Sequence, residues 1–139
     1  MKKVLVAIDV SRPDGNELCI KAAQTIAKAM HASLAFLYVI EPIPGYVLGE
    51  IPEWILDKRK TDAEEELGKL AAQYGCTDKI IRTGAPATEI LEHASEINAD
   101  VIVLHSHDPD LSDYFLGSVA SRVVRHAHCS VYVVRHAKD

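Results

Sequence analysis

Short apolar runs recur along the chain and are separated by longer segments of mixed polarity. Residues 4–8, 33–40, 101–104 and 131–134 are apolar at successive positions apart from Ser33, so each run would be covered on both faces. Such runs are typical of strands in a parallel sheet with helices on both sides. A weaker run over residues 77–82 predicts a third strand, at an edge of the sheet.

The segments between these runs repeat apolar residues every three or four positions, which is typical of helices with one buried stripe. Helices are predicted over residues 16–30, 55–74 and 86–98, with a last one after the Gly117–Ser118 pair. Asn16 is the expected N-cap of the first helix, and Gly75 is the expected stop of the second. In the last helix Val119, Val123, Val124 and Ala127 form the expected buried stripe.

Strands that alternate with helices predict a doubly wound α/β fold with a parallel sheet. Ligands of such sheets bind beyond the carboxyl ends of the strands. That edge is expected to collect Asp9, Val39, Glu41, Gly84, residues 105–108 and the Gly117–Ser118 pair. Because a helix follows Gly117–Ser118, its unpaired N–H groups make this pair the expected anion site.

Residues 41–54 contain three prolines and two glycines, which predicts an irregular loop. A loop of this length inside a compact domain is usually a lid, a binding loop or an interface. Its apolar residues, among them Tyr46 and Trp54, are expected to pack against another part of the chain or a partner.

Length and composition predict a single domain over residues 1–139. The net charge of −5 argues against a nucleic-acid partner, and no apolar run approaches the ~20 residues of a membrane span. The N-terminal run has no cleavage site for a signal peptide, so a cytoplasmic location is expected. Three widely spaced cysteines without a C-x-x-C motif predict free thiols.

Five short motifs, in this order and spacing, resemble the universal stress protein family. They are residues 4–9 (VLVAID), 84–86 (GAP), 117–119 (GSV), 125–127 (RHA) and 131–134 (VYVV). The resemblance covers essentially the whole chain. It implies a flavodoxin-like, Rossmann-like sheet with strand order 3-2-1-4-5, in a cytoplasmic homodimer joined through the last strand, with Tyr132 at the contact. It also implies a role in the response to stress.

Members of that family that hold ATP carry Gly, two residues, Gly, nine residues, Gly and then Ser or Thr. Here Gly117–Ser118 matches the last pair, His105 and Asp108 replace the first two glycines, and eight residues rather than nine precede Gly117. The resemblance thus implies ATP or another adenine nucleotide, with Mg²⁺ or Mn²⁺, as the ligand. The implied site consists of Ala7, Asp9, Val39, Leu104, His105, His107, Asp108, Gly117, Ser118 and Val119.

The replaced glycines alter the phosphate end of the implied site. Glycine allows close approach of the backbone to phosphate, which His105 restricts. A carboxylate at position 108 would repel a triphosphate by on the order of 4 kcal/mol at ~4 Å and an effective dielectric constant of ~20. A bridging divalent cation would reverse that sign. Binding weaker than in members with the complete motif is therefore expected.

The same residues also allow interpretations other than a nucleotide site. Asp9 could cap the loop that follows it, and Ser118 could be only a helix N-cap. His105, His107 and Asp108 could instead hold zinc or another transition metal.

Robust catalysis is not expected. The sequence has no nucleophile with an evident base, no G-x-S-x-G elbow and no P-loop lysine. Two alternatives to a nucleotide-responsive dimer remain. One is a nucleotide-free module that binds an unknown protein partner through residues 41–54, and the other is a slow ATP hydrolase.

Overall fold

The computed structural model describes residues 2–9, 13–106 and 116–135. The elements in chain order are β1 (Lys3–Ile8), α1 (Pro13–Met30), β2 (Ser33–Ile40), α2 (Gly45–Leu48), α3 (Glu53–Gln73), β3 (Lys79–Thr83), α4 (Pro86–Glu96), β4 (Val101–His105), α5 (Ser118–His126) and β5 (Ser130–Val134). The five strands form one parallel sheet in the order β3-β2-β1-β4-β5. The predicted fold, the strand order and the edge position of the third strand are all confirmed.

Alternate residues of the central strands enter two separate cores, one on each face of the sheet. On one face Val6 and Phe36 pack with α1 and α3, through residues such as Leu67. On the other face Leu5 and Ile102 pack with α4 and α5, where the buried residues include Ile90 and Val123. Because β1 and β4 are covered on both faces, their sequences are apolar throughout.

The helix boundaries differ from the predicted ones where proline can start a helix. Helix α1 begins at Pro13, so the expected N-cap Asn16 lies inside the first turn and is buried. Helix α3 begins at Glu53 after Pro52, whose φ of −59° suits an N-terminal flank. Gly75 follows α3 with a φ of +67°, which confirms its predicted role in ending that helix.

The prediction for the stripe of α5 was partly wrong. Ala120 and Val123 are the buried residues of this helix, and Val119 and Ala127 are partly buried. Val124 is 46% exposed. At about 100° per residue, Val119 and Val124 lie at the two margins of a stripe centred on Ala120 and Val123, and only the margin that carries Val119 is covered by its neighbours.

The segment that joins β2 to α3 is also different from its prediction. Residues 45–48 form one helical turn, α2, in which the N–H groups of Val47 and Leu48 donate to the Pro44 carbonyl. Two of its large apolar residues do not pack within the chain, so packing of this segment against a partner stays a prediction. Tyr46 is 87% exposed and Trp54 is 64% exposed. We call residues 41–54 the connecting segment.

No helix among the described residues combines the length and the apolar character that a membrane crossing requires.

Candidate functional site

A cleft of about 450 Å³ opens at the carboxyl edge of β1, β2 and β4. This volume is within the usual range for small-molecule sites. Helices α1, α3, α4 and α5 all contribute to its walls. Eight of the ten site residues predicted from the sequence line this cleft, namely Ala7, Asp9, Val39, Leu104, His105, Gly117, Ser118 and Val119.

The other two predicted site residues, His107 and Asp108, lie outside the described residues. The expected charge repulsion by Asp108 and the alternative metal site therefore stay predictions. Within the described residues, no three His, Cys, Asp or Glu side chains are grouped so that they could hold a metal ion.

Asp9 reaches the cleft because a buried side chain fixes the backbone where β1 ends. The Asn16 amide accepts a hydrogen bond from the Asp9 N–H at 2.8 Å and donates one to the Asp9 carbonyl at 2.6 Å. Asn16 is only 6% exposed and itself lines the cleft. The side chain thus joins the first turn of α1 to the end of β1 and sets the position of Asp9.

The N-terminus of α5 forms the opposite wall. Gly117 is the N-cap, without a side-chain cap, and its N–H donates to the Ser106 carbonyl at 2.7 Å. The first hydrogen bond of the helix runs from the Ser121 N–H to the Gly117 carbonyl. The N–H groups of Ser118, Val119 and Ala120 precede this bond and have no acceptor within the helix.

The interpretation of Ser118 as the N-cap is therefore wrong. Ser118 is the first residue of α5, and its side chain is exposed. Gly117, by contrast, is buried and holds the turn between β4 and α5 against Ser106. A cap without a side chain leaves the end of the helix open to the cleft. An anion placed there would meet N–H donors and the positive end of the helix dipole.

Charged and phenolic groups gather where β2 ends. Tyr38 is half-buried, and burial raises the pKa of its hydroxyl, with a further contribution from the Asp9 carboxylate. Arg59 from α3 and Glu41 line the same side of the cleft. Tyr38 therefore stays protonated near neutral pH and can donate a hydrogen bond to a ligand.

Pro86 and Ile90 of α4 line the cleft. Ion pairs with Arg82 of the preceding strand, β3, hold this helix in place. Arg82 of β3 contacts three carboxylates of α4, with Nε to Glu89 at 2.9 Å, Nη2 to Glu92 at 3.2 Å and Nη1 to Glu96 at 2.8 Å. A guanidinium with several partners holds its neighbours in a fixed geometry. The three ion pairs of Arg82 therefore set the position of α4 against the edge of the sheet.

Three polar or charged residues that line the cleft were not predicted from the sequence: Asn16, Tyr38 and Arg59. Glu41 and Ser106, which directly follow strands, were expected at this edge and do line the cleft. Asn16 and Arg59 lie one turn and two turns inside helices, and no local pattern marks them. Their approach to the cleft depends on how the helices pack.

The described part of the cleft offers binding groups rather than an activated nucleophile. It combines apolar walls, N–H donors at α5, a phenol and one guanidinium. Cys19 is buried nearby in α1, and burial raises the pKa of its thiol to about 12. Such a thiol is protonated and inert at neutral pH. Cys19, Cys76 and Cys129 are all free, as the sequence predicted.

Known proteins of one family match both the sequence and the fold of this chain. The family model described as the universal stress protein family matches residues 1–135. Universal stress protein YxiE of Bacillus subtilis is 33% identical over 149 aligned positions, which cover 96% of this chain and 98% of that protein.

Two solved structures have the same fold over nearly their whole length. UspA from Lactobacillus plantarum is 26% identical, with a TM-score of 0.79 over 96% of this chain and 97% of that one. A universal stress protein solved in complex with cAMP is 25% identical, with a TM-score of 0.67 over 96% of both chains. The match of the family model over residues 1–135, together with these relatives, shows that the chain belongs to the universal stress protein family.

Proposed function

We propose that this protein binds an adenine nucleotide in the cleft and responds to it without robust catalysis. One observation carries the proposal: eight residues implied by the sequence converge on one cleft beside an open helix N-terminus. Apolar Val39 and Leu104 suit a base, and the N–H groups of α5 suit phosphate. The complex of a related protein with cAMP supports an adenine ligand.

The experiment is calorimetric titration of the purified protein with ATP, with and without Mg²⁺ or Mn²⁺. Asp9→Ala and Ser118→Ala should each weaken the binding, because both side chains line the cleft. Ser95→Ala is the matched control, since Ser95 is exposed near the end of α4 and does not line the cleft. Absence of heat at millimolar ATP with either metal would refute the proposal.

The exposed connecting segment favours a second function, which is contact with a protein partner. Tyr46, Leu48 and Trp54 are all exposed large hydrophobic residues. Residues 41–57 contain Glu41, Glu50, Glu53 and Asp57 but no lysine or arginine. We propose a partner with an apolar groove and a basic rim. Loss of partner capture in Trp54→Ser, with nucleotide binding intact, would separate this function from the first.

We also propose that two copies of the chain associate in the cytoplasm through β5. This strand is an edge of the sheet, and Tyr132 on it is 50% exposed. An unpaired edge with an exposed aromatic residue is suited to a symmetric contact.

A further inference from the structure

We infer that Arg59 is an anion-binding residue of the cleft, and that the carbonyl of Glu41 is its partner only while no ligand is bound. This inference rests on the proposed nucleotide site. It adds a residue to that site and joins the site to the connecting segment. Arg59 lies in the second turn of α3, at the carboxyl edge of the sheet, and lines the cleft.

The guanidinium of Arg59 makes little use of its donors. Its Nη2 donates to the Glu41 carbonyl at 3.1 Å. Across residues 2–9, 13–106 and 116–135, no carboxylate lies within 4 Å of it. A guanidinium has five N–H donors and favours planar, bidentate partners such as phosphate or carboxylate. Arg82, in contrast, engages three carboxylates.

The charge of the cleft also requires a cation. Asp9 and Glu41 are its acidic residues in the described part of the chain, and the basic residues there are Arg59 and His105, of which only Arg59 carries a fixed positive charge. A polyanionic ligand would meet net negative charge without Arg59. Because His105 occupies a position where ATP-holding family members have glycine, less backbone is open to phosphate at β4. A cation across the cleft can share the ligand charge with the N-terminus of α5.

The bond between Arg59 and Glu41 also ties down the connecting segment. Glu41 is the first residue after β2, and Arg59 follows the segment in α3. One hydrogen bond therefore joins the end of β2 to α3 and closes the stretch between them, which carries Tyr46 and, in the first turn of α3, Trp54. A carbonyl is a weaker partner for a guanidinium than a phosphate is, because a phosphate carries a negative charge and can accept two parallel hydrogen bonds from the guanidinium. Ligand binding should therefore draw Arg59 from Glu41 and change the surroundings of Trp54.

The test uses the full chain and two probes, ATP with Mg²⁺ and adenosine. Arg59→Gln removes the charge and keeps a polar side chain. It should weaken ATP binding by roughly ten- to hundredfold, the effect of losing one charge-assisted hydrogen bond, and leave adenosine binding unchanged. Arg59→Lys should keep part of the ATP affinity. Lys58→Gln is the control, since Lys58 pairs with Asp62 at 3.2 Å and does not line the cleft.

The fluorescence of Trp54 reports on the connecting segment, because Trp54 is the only tryptophan in the sequence. ATP should change its emission and its quenching by iodide in the wild type. Arg59→Gln should show the altered emission without ligand. Equal loss of ATP and adenosine affinity, or unchanged ATP affinity in Arg59→Gln, would overturn the anion-binding role alone. Absence of calorimetric binding of both ligands to the wild type would overturn this inference and the proposed function together.

Discussion

Asn16 holds Asp9 by both of its backbone polar groups, at 2.8 Å and 2.6 Å. The pair mimics the hydrogen bonding of a strand neighbour at the point where β1 leaves the sheet. It orders the entrance of the cleft before any ligand arrives. A site residue whose backbone is fixed in advance loses less entropy on binding.

Asn16→Ala should lower the free energy of unfolding by about 2 kcal/mol, because it removes two hydrogen bonds to the partly buried backbone of Asp9. It should also weaken ATP binding, since Asp9 is no longer fixed. Urea denaturation measures the first effect and calorimetry the second. Thr25→Ala is the control on the same helix, an exposed residue bonded only to the Lys21 carbonyl. A stability loss no larger than that of Thr25→Ala would contradict the assigned role.

Gly84→Ala should be destabilising for two separate reasons. Gly84 has a φ of +155°, and an added Cβ would lie 2.9 Å from the carboxyl group of Glu89. Strain of this kind costs about 1–3 kcal/mol. Displacing Glu89 would also disturb its contact with Arg82. In a double-mutant cycle, Glu89→Ala should remove part of the cost of Gly84→Ala.

Gly68→Ala is the control for that prediction. Gly68 lies inside α3, and an added Cβ there meets nothing within 4 Å. It should stabilise the helix by about 0.5–1 kcal/mol. Thermal unfolding of Gly84→Ala, Glu89→Ala, the double variant and Gly68→Ala gives the change in stability of each. Additive losses for Gly84→Ala and Glu89→Ala would mean that the close approach at 2.9 Å carries no energy.

Tyr132→Glu should convert the proposed dimer to a monomer, because it places charge on the exposed edge of β5. Sedimentation equilibrium measures the mass, and urea denaturation shows that each variant is folded. Ile80→Glu is the matched control on the opposite edge strand β3, where Ile80 is 39% exposed. A wild-type monomer at all concentrations, or dissociation by Ile80→Glu instead, would reject the β5 contact.

The strands followed from the sequence because buried parallel strands have a strong local pattern, whereas the strand order came only from the resemblance to the family. The carboxyl-edge residues also followed, since the end of an apolar run marks the end of a strand. Asn16 and Arg59 did not follow, because they reach the cleft only through the packing of α1 and α3. The exposure of Tyr46 and Trp54 was not predicted from the sequence either. Apolar composition predicts burial, and it does not show whether the burying surface is in the same chain.

His93 is a buried histidine, 6% exposed, whose two ring nitrogens have no hydrogen-bond partner among the described residues. Its Nδ1 lies 3.8 Å from the Glu96 carboxylate. Burial lowers the pKa of His93, and Arg82 lowers it further, while Glu96 and Asp78 oppose the shift. The folded state therefore favours the neutral imidazole.

This shift fixes the sign of the pH dependence. In the unfolded chain the imidazole has a pKa of about 6.5, so below that pH the unfolded state binds a proton that the folded state resists. Stability should be unaffected by His93 above that pH. It should fall as the pH drops below it, by at most about 1.4 kcal/mol per pH unit, until the folded-state pKa is reached.

His93→Leu removes the titrating group and keeps an apolar side chain in the core. The difference in unfolding free energy between His93→Leu and the wild type should therefore grow between pH 7.5 and pH 5.5. Urea denaturation across that range measures it. His31→Asn is the control, because His31 is exposed and asparagine tolerates its φ of 55°. A constant difference across the range would show that His93 has the same pKa in both states.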